Sequence, residues 1–227
     1  MPKVGMVLSG CGVMDGTEIH EATLLMLHLV KNGAEVVFMA PDIQQTDTVN
    51  HITGQPVAEE GEKCGERNVL KASARIARGN IKDISDVQSS DIDALVFPGG
   101  LGACKNLSDY AFHDNVGDIA TELHVTRLIE DMLKQGKPMG FMCIAPASIA
   151  AVAMKDKGLK LTIGNDVQTA GKIRQLGHEH VDTSPTDVVV DVDHKVVSTP
   201  AYMLAKDIVE VDMGVGKFVR ELLKLAN

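Results

Sequence analysis

Hydrophobic residues along the chain form short runs that alternate with longer segments of helical period. The runs are rich in Val, Met and Phe, and they predict strands at 3–9, 34–40, 93–99, 137–143 and 159–164. Between them, segments 18–33, 66–80 and 117–136 repeat apolar residues at helical spacing, each with a glycine at or next to its end. This alternation is typical of a parallel sheet with helices on both faces.

The C-terminal part of the chain has a different pattern. Residues 187–200, "DVVVDVDHKVVSTP", predict two short strands around a tight turn, and residues 203–227 predict mostly a closing helix. A chain of 227 residues with 44% hydrophobic content can bury a sizeable core. We therefore predict one α/β domain with a doubly wound, mostly parallel sheet.

Segment 41–66 is polar and lacks a sustained period. It is longer than most connections within a compact domain. We expect it to form a lid, an interface arm or a small added hairpin.

Charge and composition narrow the class of function. The net charge is −9, without a basic cluster, which argues against nucleic acid and anionic membranes as partners. No apolar run approaches about 18 residues and the N-terminus does not resemble a secretory signal, so we expect a cytoplasmic protein. Four cysteines lack CxxC spacing, which favours free thiols and predicts no metal site: Cys11, Cys64, Cys104 and Cys143.

Candidate chemistry lies where the predicted strands end. Ligands of doubly wound sheets bind outside the carboxyl ends of the strands, here residues 9–12, 99–102 and 143–146. Cys143 ends a strand and precedes a helix, whose N–H groups are expected to lower the pKa of its thiol and favour the nucleophilic thiolate. The alternative is that Cys143 is a small buried hydrophobic residue.

Backbone N–H groups and carboxyl groups near these strand ends are candidates to assist a cysteine nucleophile. Backbone N–H groups at Gly99, Gly100 and Ile144 are candidates to hold a developing oxyanion. Glu18 and Glu21 lie three apart on one side of the first helix, where a carboxyl can exchange protons with the thiol.

Two further residues are weaker candidates. His180 has an ordinary pKa close to neutral pH, so it is a candidate general base, with a surface or structural role as the alternative. Cys11 ends the first strand and is a candidate for the pocket, although packing is favoured for it.

Several motifs in order resemble a known family. "VFPGG" followed about forty residues later by "GFMCIAPA" resembles the ThiJ/PfpI branch of the class I glutamine-amidotransferase-like superfamily. Together with "LSGCGVMDGTEIHEA", "RNVLKASARIARG", "PGGLGACKNLS" and "STPAYMLA", these motifs are similar to the isoprenoid biosynthesis (lycopene-enhancing) proteins with an amidotransferase-like domain. The resemblance covers nearly the whole chain.

This resemblance implies a flavodoxin-like fold, a homodimer and a nucleophile at Cys143. The superfamily places its glutamate twelve residues before the glycine that ends the first helix, and counting back from Gly33 gives Glu21, with Glu18 as the alternative. It further implies a glyoxalase activity without glutathione, metal or other cofactor, in which a small aldehyde, glyoxal, becomes glycolate.

The chain also departs from other branches of the superfamily. Protease-like members have histidine after the nucleophile, where this chain has Ile144. Glutaminases have a histidine and a glutamate two residues apart, but no glutamate stands two residues beyond His180. Peptidase and amidotransferase activities are thus not predicted. A non-catalytic redox sensor, or a binding protein linked to isoprenoid metabolism, is the alternative to a glyoxalase.

Overall fold

The computed structural model describes residues 1–57 and 67–226. Its strands are β1 (Lys3–Val7), β2 (Glu35–Ala40), β3 (Lys82–Asp83), β4 (Ala94–Phe97), β5 (Met139–Met142), β6 (Lys160–Leu161), β7 (Glu179–His180), β8 (Val189–Asp191) and β9 (Val196–Thr199). Its α-helices are α1 (Ile19–Lys31), α2 (Val69–Ser73), α3 (Gly102–Lys105), α4 (Leu123–Lys134), α5 (Ala151–Ala153), α6 (Val167–Gln175) and α7 (Ile208–Leu225).

The main sheet has seven strands in the order β3-β2-β1-β4-β5-β9-β8. Only the β8–β9 pairing is antiparallel among its described pairs, and β8 and β9 are the two short strands predicted near the C-terminus. This arrangement confirms the predicted flavodoxin-like, mostly parallel α/β fold. It places the carboxyl ends of β1, β4 and β5 side by side at one edge of the sheet.

Three predicted elements differ from the structure. The predicted strand 159–164 contributes only β6, which pairs with β7 in a separate two-stranded sheet. The predicted helix 66–80 contains the short α2 followed by turns. The predicted helix 117–136 begins later, because the Glu122 carboxylate accepts the N–H groups of His124 and Val125 and so caps α4 there.

The core forms where both faces of the central strands are covered. Every residue of β4 and β5 is buried, as expected for strands between two helical layers. The rings of Phe97 and Phe141 stack across these strands with centroids 5.0 Å apart. Helices α1 and α7 contact each other and bury apolar stripes that include Leu25 and Phe218. Tight packing of the central strands holds their carboxyl ends in fixed positions.

The described part of segment 41–66 includes a short loop whose two ends are hydrogen-bonded to each other. Val49 and Pro56 form an antiparallel bridge, and the Val57 N–H donates to the Thr48 carbonyl at 2.8 Å. The Asp15 carboxylate accepts the Val49 N–H at 2.9 Å, which attaches this short loop to the loop after β1. Residues 58–66, including Cys64, lie outside the described residues.

Candidate functional site

Two loops meet at the carboxyl edge of the sheet. One connects β1 to α1, and the other follows β4. The Glu18 N–H donates to the Gly99 carbonyl at 2.9 Å, and the Gly102 N–H donates to the Gly16 carbonyl at 2.9 Å. An added Cβ on Gly100, which has φ +99°, would overlap the Gly16 oxygen and the Glu18 nitrogen. The loops therefore approach so closely that glycine is required at this contact.

Cys143 lies on a strained turn directly after β5. Its φ is +60°, in the left-handed region that a residue with a Cβ rarely adopts. The Cys143 N–H donates to the Thr199 carbonyl at 3.0 Å, which ties the turn to the end of β9. A π-helical turn, Pro146–Ala150, follows. Strain held by surrounding structure is characteristic of functional positions, and this geometry resembles a nucleophile elbow.

Glu21 lies beside Cys143 and is fully buried in the first turns of α1. One carboxyl oxygen, Oε2, accepts the Gly99 N–H at 2.8 Å, and the other, Oε1, accepts the Tyr202 N–H at 3.1 Å. A Cβ on Gly99 would lie 2.7 Å from both the Cys143 Sγ and the Glu21 Oε2. The thiol and the carboxyl thus converge above Gly99, where a larger residue would separate them.

The acidities of these two groups are coupled. Burial, and then the negative charge of Glu18, raise the pKa of Glu21 to about 7. Burial, and then the negative charge of Glu21, raise the pKa of Cys143 well above its ordinary value. The thiol donates a hydrogen bond to the Glu21 carboxylate. The expectation of a lowered thiol pKa is wrong for the resting site, because burial and a neighbouring anion outweigh the helix N–H groups.

The predicted oxyanion donors have different surroundings. The N–H groups of Gly100 and Ile144 donate to the Cys143 sulfur, and each opposes the rise in its pKa. The Gly99 N–H already donates to Glu21. Gly100 and Ile144 are therefore the donors placed to stabilise negative charge that develops at the sulfur or next to it.

Glu18 has a different position from Glu21. It is the N-cap residue of α1, and its Oε2 accepts the Glu21 N–H at 2.7 Å. Its side chain caps the N-terminus of α1, and its negative charge raises the pKa of the Glu21 carboxyl. Glu21 is the carboxyl that contacts the thiol.

His180 is occupied elsewhere. Its Nε2 accepts the Ile163 N–H at 3.3 Å, and its Nδ1 lies 3.2 Å from the Asp182 carboxylate. Burial lowers its pKa. Within residues 1–57 and 67–226, its hydrogen-bond and ion-pair contacts do not include Cys143 or Glu21. They give His180 a structural role between β7 and the segment after β6.

Sequence reasoning missed Tyr202. Its backbone N–H holds one Glu21 oxygen, and its phenol oxygen lies 2.8 Å from Nδ1 of His20. Both Tyr202 and Thr199 belong to the "STPAYMLA" motif, which marked the family resemblance but pointed to no role. Only the pairing of β9 with β5 brings this motif to the cysteine turn.

Within the described residues, the other two cysteines are separate from this pair. Cys11 is partly exposed in the loop after β1, and Cys104 is buried in α3. Burial raises the pKa of Cys104 to about 11, which keeps this thiol protonated near neutral pH.

The part of the chain that the structure describes has neither a metal-binding cluster nor a membrane-spanning helix. Within residues 1–57 and 67–226, no cluster of three or more His, Cys, Asp or Glu side chains is placed to bind a metal ion. No helix in those ranges has the length and apolar character needed to span a membrane.

The raised pKa of Glu21 predicts a pH-dependent stability. Because the folded-state pKa of about 7 exceeds the ordinary 4.5, the folded protein binds more protons between these values and loses stability as pH rises. Relative to Glu21→Gln, the wild type should lose roughly 3 kcal/mol of unfolding free energy between pH 4.5 and pH 8. Urea unfolding of both proteins across this range measures the difference; parallel curves would contradict the raised pKa.

A doubly wound sheet, with a cysteine on a left-handed turn after a central strand and a buried glutamate beside it, defines the class as a flavodoxin-like α/β protein with a cysteine–glutamate site. Structural comparison agrees with this fold. A DJ-1 superfamily protein from Agrobacterium tumefaciens has the same fold, with a TM-score of 0.56 and 18% identity over 99% of this chain and 89% of its own.

Two proteins with higher sequence identity to this chain identify its family. Glutamine amidotransferase-like class 1 domain-containing protein 3, mitochondrial, from Homo sapiens is 41% identical over 99% of this chain and 84% of its own length. The crystal structure of an isoprenoid biosynthesis protein with amidotransferase-like domain from Ehrlichia chaffeensis has a TM-score of 0.89 and 32% identity, covering 100% of both chains. No family model matches the chain. The chain belongs to the family of glutamine amidotransferase-like class 1 domain proteins.

Proposed function

We propose that the protein is a cofactor-independent glyoxalase-type enzyme that converts glyoxal, and related small 2-oxoaldehydes, to the hydroxy acid. The observation that carries this proposal is the convergence of the Cys143 thiol and the Glu21 carboxyl above Gly99. A thiol paired with a base of pKa about 7 is suited to add to an aldehyde at neutral pH. Cys143 is only 7% exposed, which favours a very small substrate.

In the first step, Glu21 takes the thiol proton and the sulfur attacks one aldehyde carbon. A carbon–sulfur bond forms, the carbonyl π bond breaks, and its oxygen receives the proton, giving a hemithioacetal. The N–H groups of Gly100 and Ile144 stabilise the negative charge that develops during this addition.

In the second step, Glu21 takes the hydrogen on the sulfur-bearing carbon as a proton and returns it to the neighbouring carbonyl carbon. The hydroxyl proton of the hemithioacetal moves to the oxygen of that carbonyl, and the product is a thioester of glycolic acid. Water then cleaves the carbon–sulfur bond, which releases glycolate and restores the thiol. The sum is glyoxal plus water giving glycolic acid, without net oxidation or reduction.

The redox-sensor alternative requires an accessible thiol of low pKa. Cys143 is buried and its pKa is raised, which gives that alternative no support.

The family resemblance also underlies our proposal of a homodimer. A cytoplasmic location stays a prediction from the sequence. The mitochondrial location in the human relative's name applies to that relative.

The test follows ¹³C-labelled glyoxal by NMR in amine-free buffer without glutathione. We expect many equivalents of glycolate per protein chain. In D₂O, proton transfer through Glu21 should place deuterium on the glycolate methylene. Conversion limited to one equivalent, or none, would contradict an enzymatic function with this substrate.

A further inference from the structure

One face of the segment around α2 carries three cationic side chains. Arg67 precedes α2, Lys71 lies within it and Arg75 follows it, and the fold of this segment brings the three side chains to one cavity. All three line a cavity of about 130 Å³, which Asn68 and Ala72 complete. Folding assembles this local positive charge in a chain whose net charge is −9.

Most of this charge is not neutralised by other groups within residues 1–57 and 67–226. In the described part of the chain, the Lys71 and Arg75 side chains have no hydrogen bond or ion pair, and both residues are exposed. Arg67 lies 3.6 Å from the carboxylate of Asp15, which is fully buried. Asn68 donates to the Asp42 carboxylate at 2.6 Å, so the described groups around the cavity include three cations and two carboxylates, and the net positive charge favours an anion.

The size and geometry of the cavity restrict the ligand. Pockets for drug-sized ligands have volumes of about 300–1,000 Å³, so a cavity of about 130 Å³ fits a single anionic group. Guanidinium groups donate paired hydrogen bonds that match phosphate oxygens. We propose that this cavity binds a phosphate group, either as free orthophosphate or as the terminal group of a small phosphomonoester.

The Cys11 thiol provides a reporter next to this cavity. The Gly10 N–H donates to the Ser73 hydroxyl at 2.9 Å, which joins the loop of Cys11 to α2. Burial raises the pKa of Cys11, and the charge of Arg75 opposes that rise, with a smaller contribution from Arg67. A bound dianion would cancel this positive charge and reduce the thiolate fraction of Cys11.

This difference can be measured on the full chain. The rate of Cys11 alkylation by iodoacetamide is followed by peptide mass spectrometry, with orthophosphate, methyl phosphate or chloride at one ionic strength. Phosphate or its ester should slow the alkylation at least about threefold and saturably, since one pKa unit changes the thiolate fraction about tenfold. The stronger of the two ligands identifies whether the site takes free or esterified phosphate.

Variants separate binding from general charge effects. Lys71→Gln combined with Arg75→Gln should slow Cys11 alkylation without ligand and remove its response to phosphate. Arg78→Gln removes an exposed charge from the same segment, outside the cavity, and should behave as the wild type. The proposal is overturned if phosphate acts no more strongly than chloride, or if Arg78→Gln removes the response equally. None of these readouts depends on turnover at Cys143.

Discussion

Replacing Cys143 with alanine should abolish glyoxal conversion and leave the fold intact. The substitution removes the sulfur that forms the covalent intermediate, and alanine fills most of the same buried space. Loss of a catalytic nucleophile typically lowers kcat by more than about 10⁴. The fall in turnover is measured by the same NMR assay, and circular dichroism and urea unfolding test that the variant is folded.

Cys104→Ala is the matched control for the loss of a buried thiol. Cys104 lies in α3, and burial raises the pKa of its thiol to about 11. Its removal should leave turnover unchanged. If folded Cys143→Ala retains turnover, the covalent mechanism is wrong; if Cys104→Ala also loses turnover, the assignment of the nucleophile fails.

Glu21→Gln should lower kcat/KM by about 10²–10⁴, the usual contribution of a positioned acid or base. Glutamine keeps the length of the side chain but cannot take the thiol proton. Its NH₂ group also has to face one of the two backbone N–H groups, from Gly99 and Tyr202, that the carboxylate accepts. Steady-state kinetics over a range of pH measures the loss and separates it from unfolding.

Glu18→Gln is the control that distinguishes the two acidic residues of α1. Its amide oxygen can still accept the Glu21 N–H, so we expect the activity at neutral pH to change by less than about tenfold. Because the charge of Glu18 raises the pKa of Glu21, its removal should shift the rising limb of the pH–rate profile to lower pH. A larger loss in Glu18→Gln than in Glu21→Gln would reverse the assigned roles.

Much of the architecture could be predicted from local patterns. Runs of buried residues such as β4 and β5, bounded by glycine turns and separated by helical segments, define a parallel sheet without knowledge of any contact. The boundaries of individual helices and strands were less predictable. The start of α4 depends on capping by a single side chain, Glu122, and the extent of β6 depends on its pairing with β7.

Order and spacing along the chain are enough to assign the fold class, the family and the cysteine at a strand-to-helix turn. Which groups meet Cys143 depends on the tertiary structure. Tyr202 reaches Glu21 from 181 residues away, and Gly99 gives its N–H to that carboxyl. The raised pKa values of Glu21 and Cys143 likewise come from burial and from charges summed over several elements. Such sums depend on distances in three dimensions, which the pattern of residues along the chain does not contain.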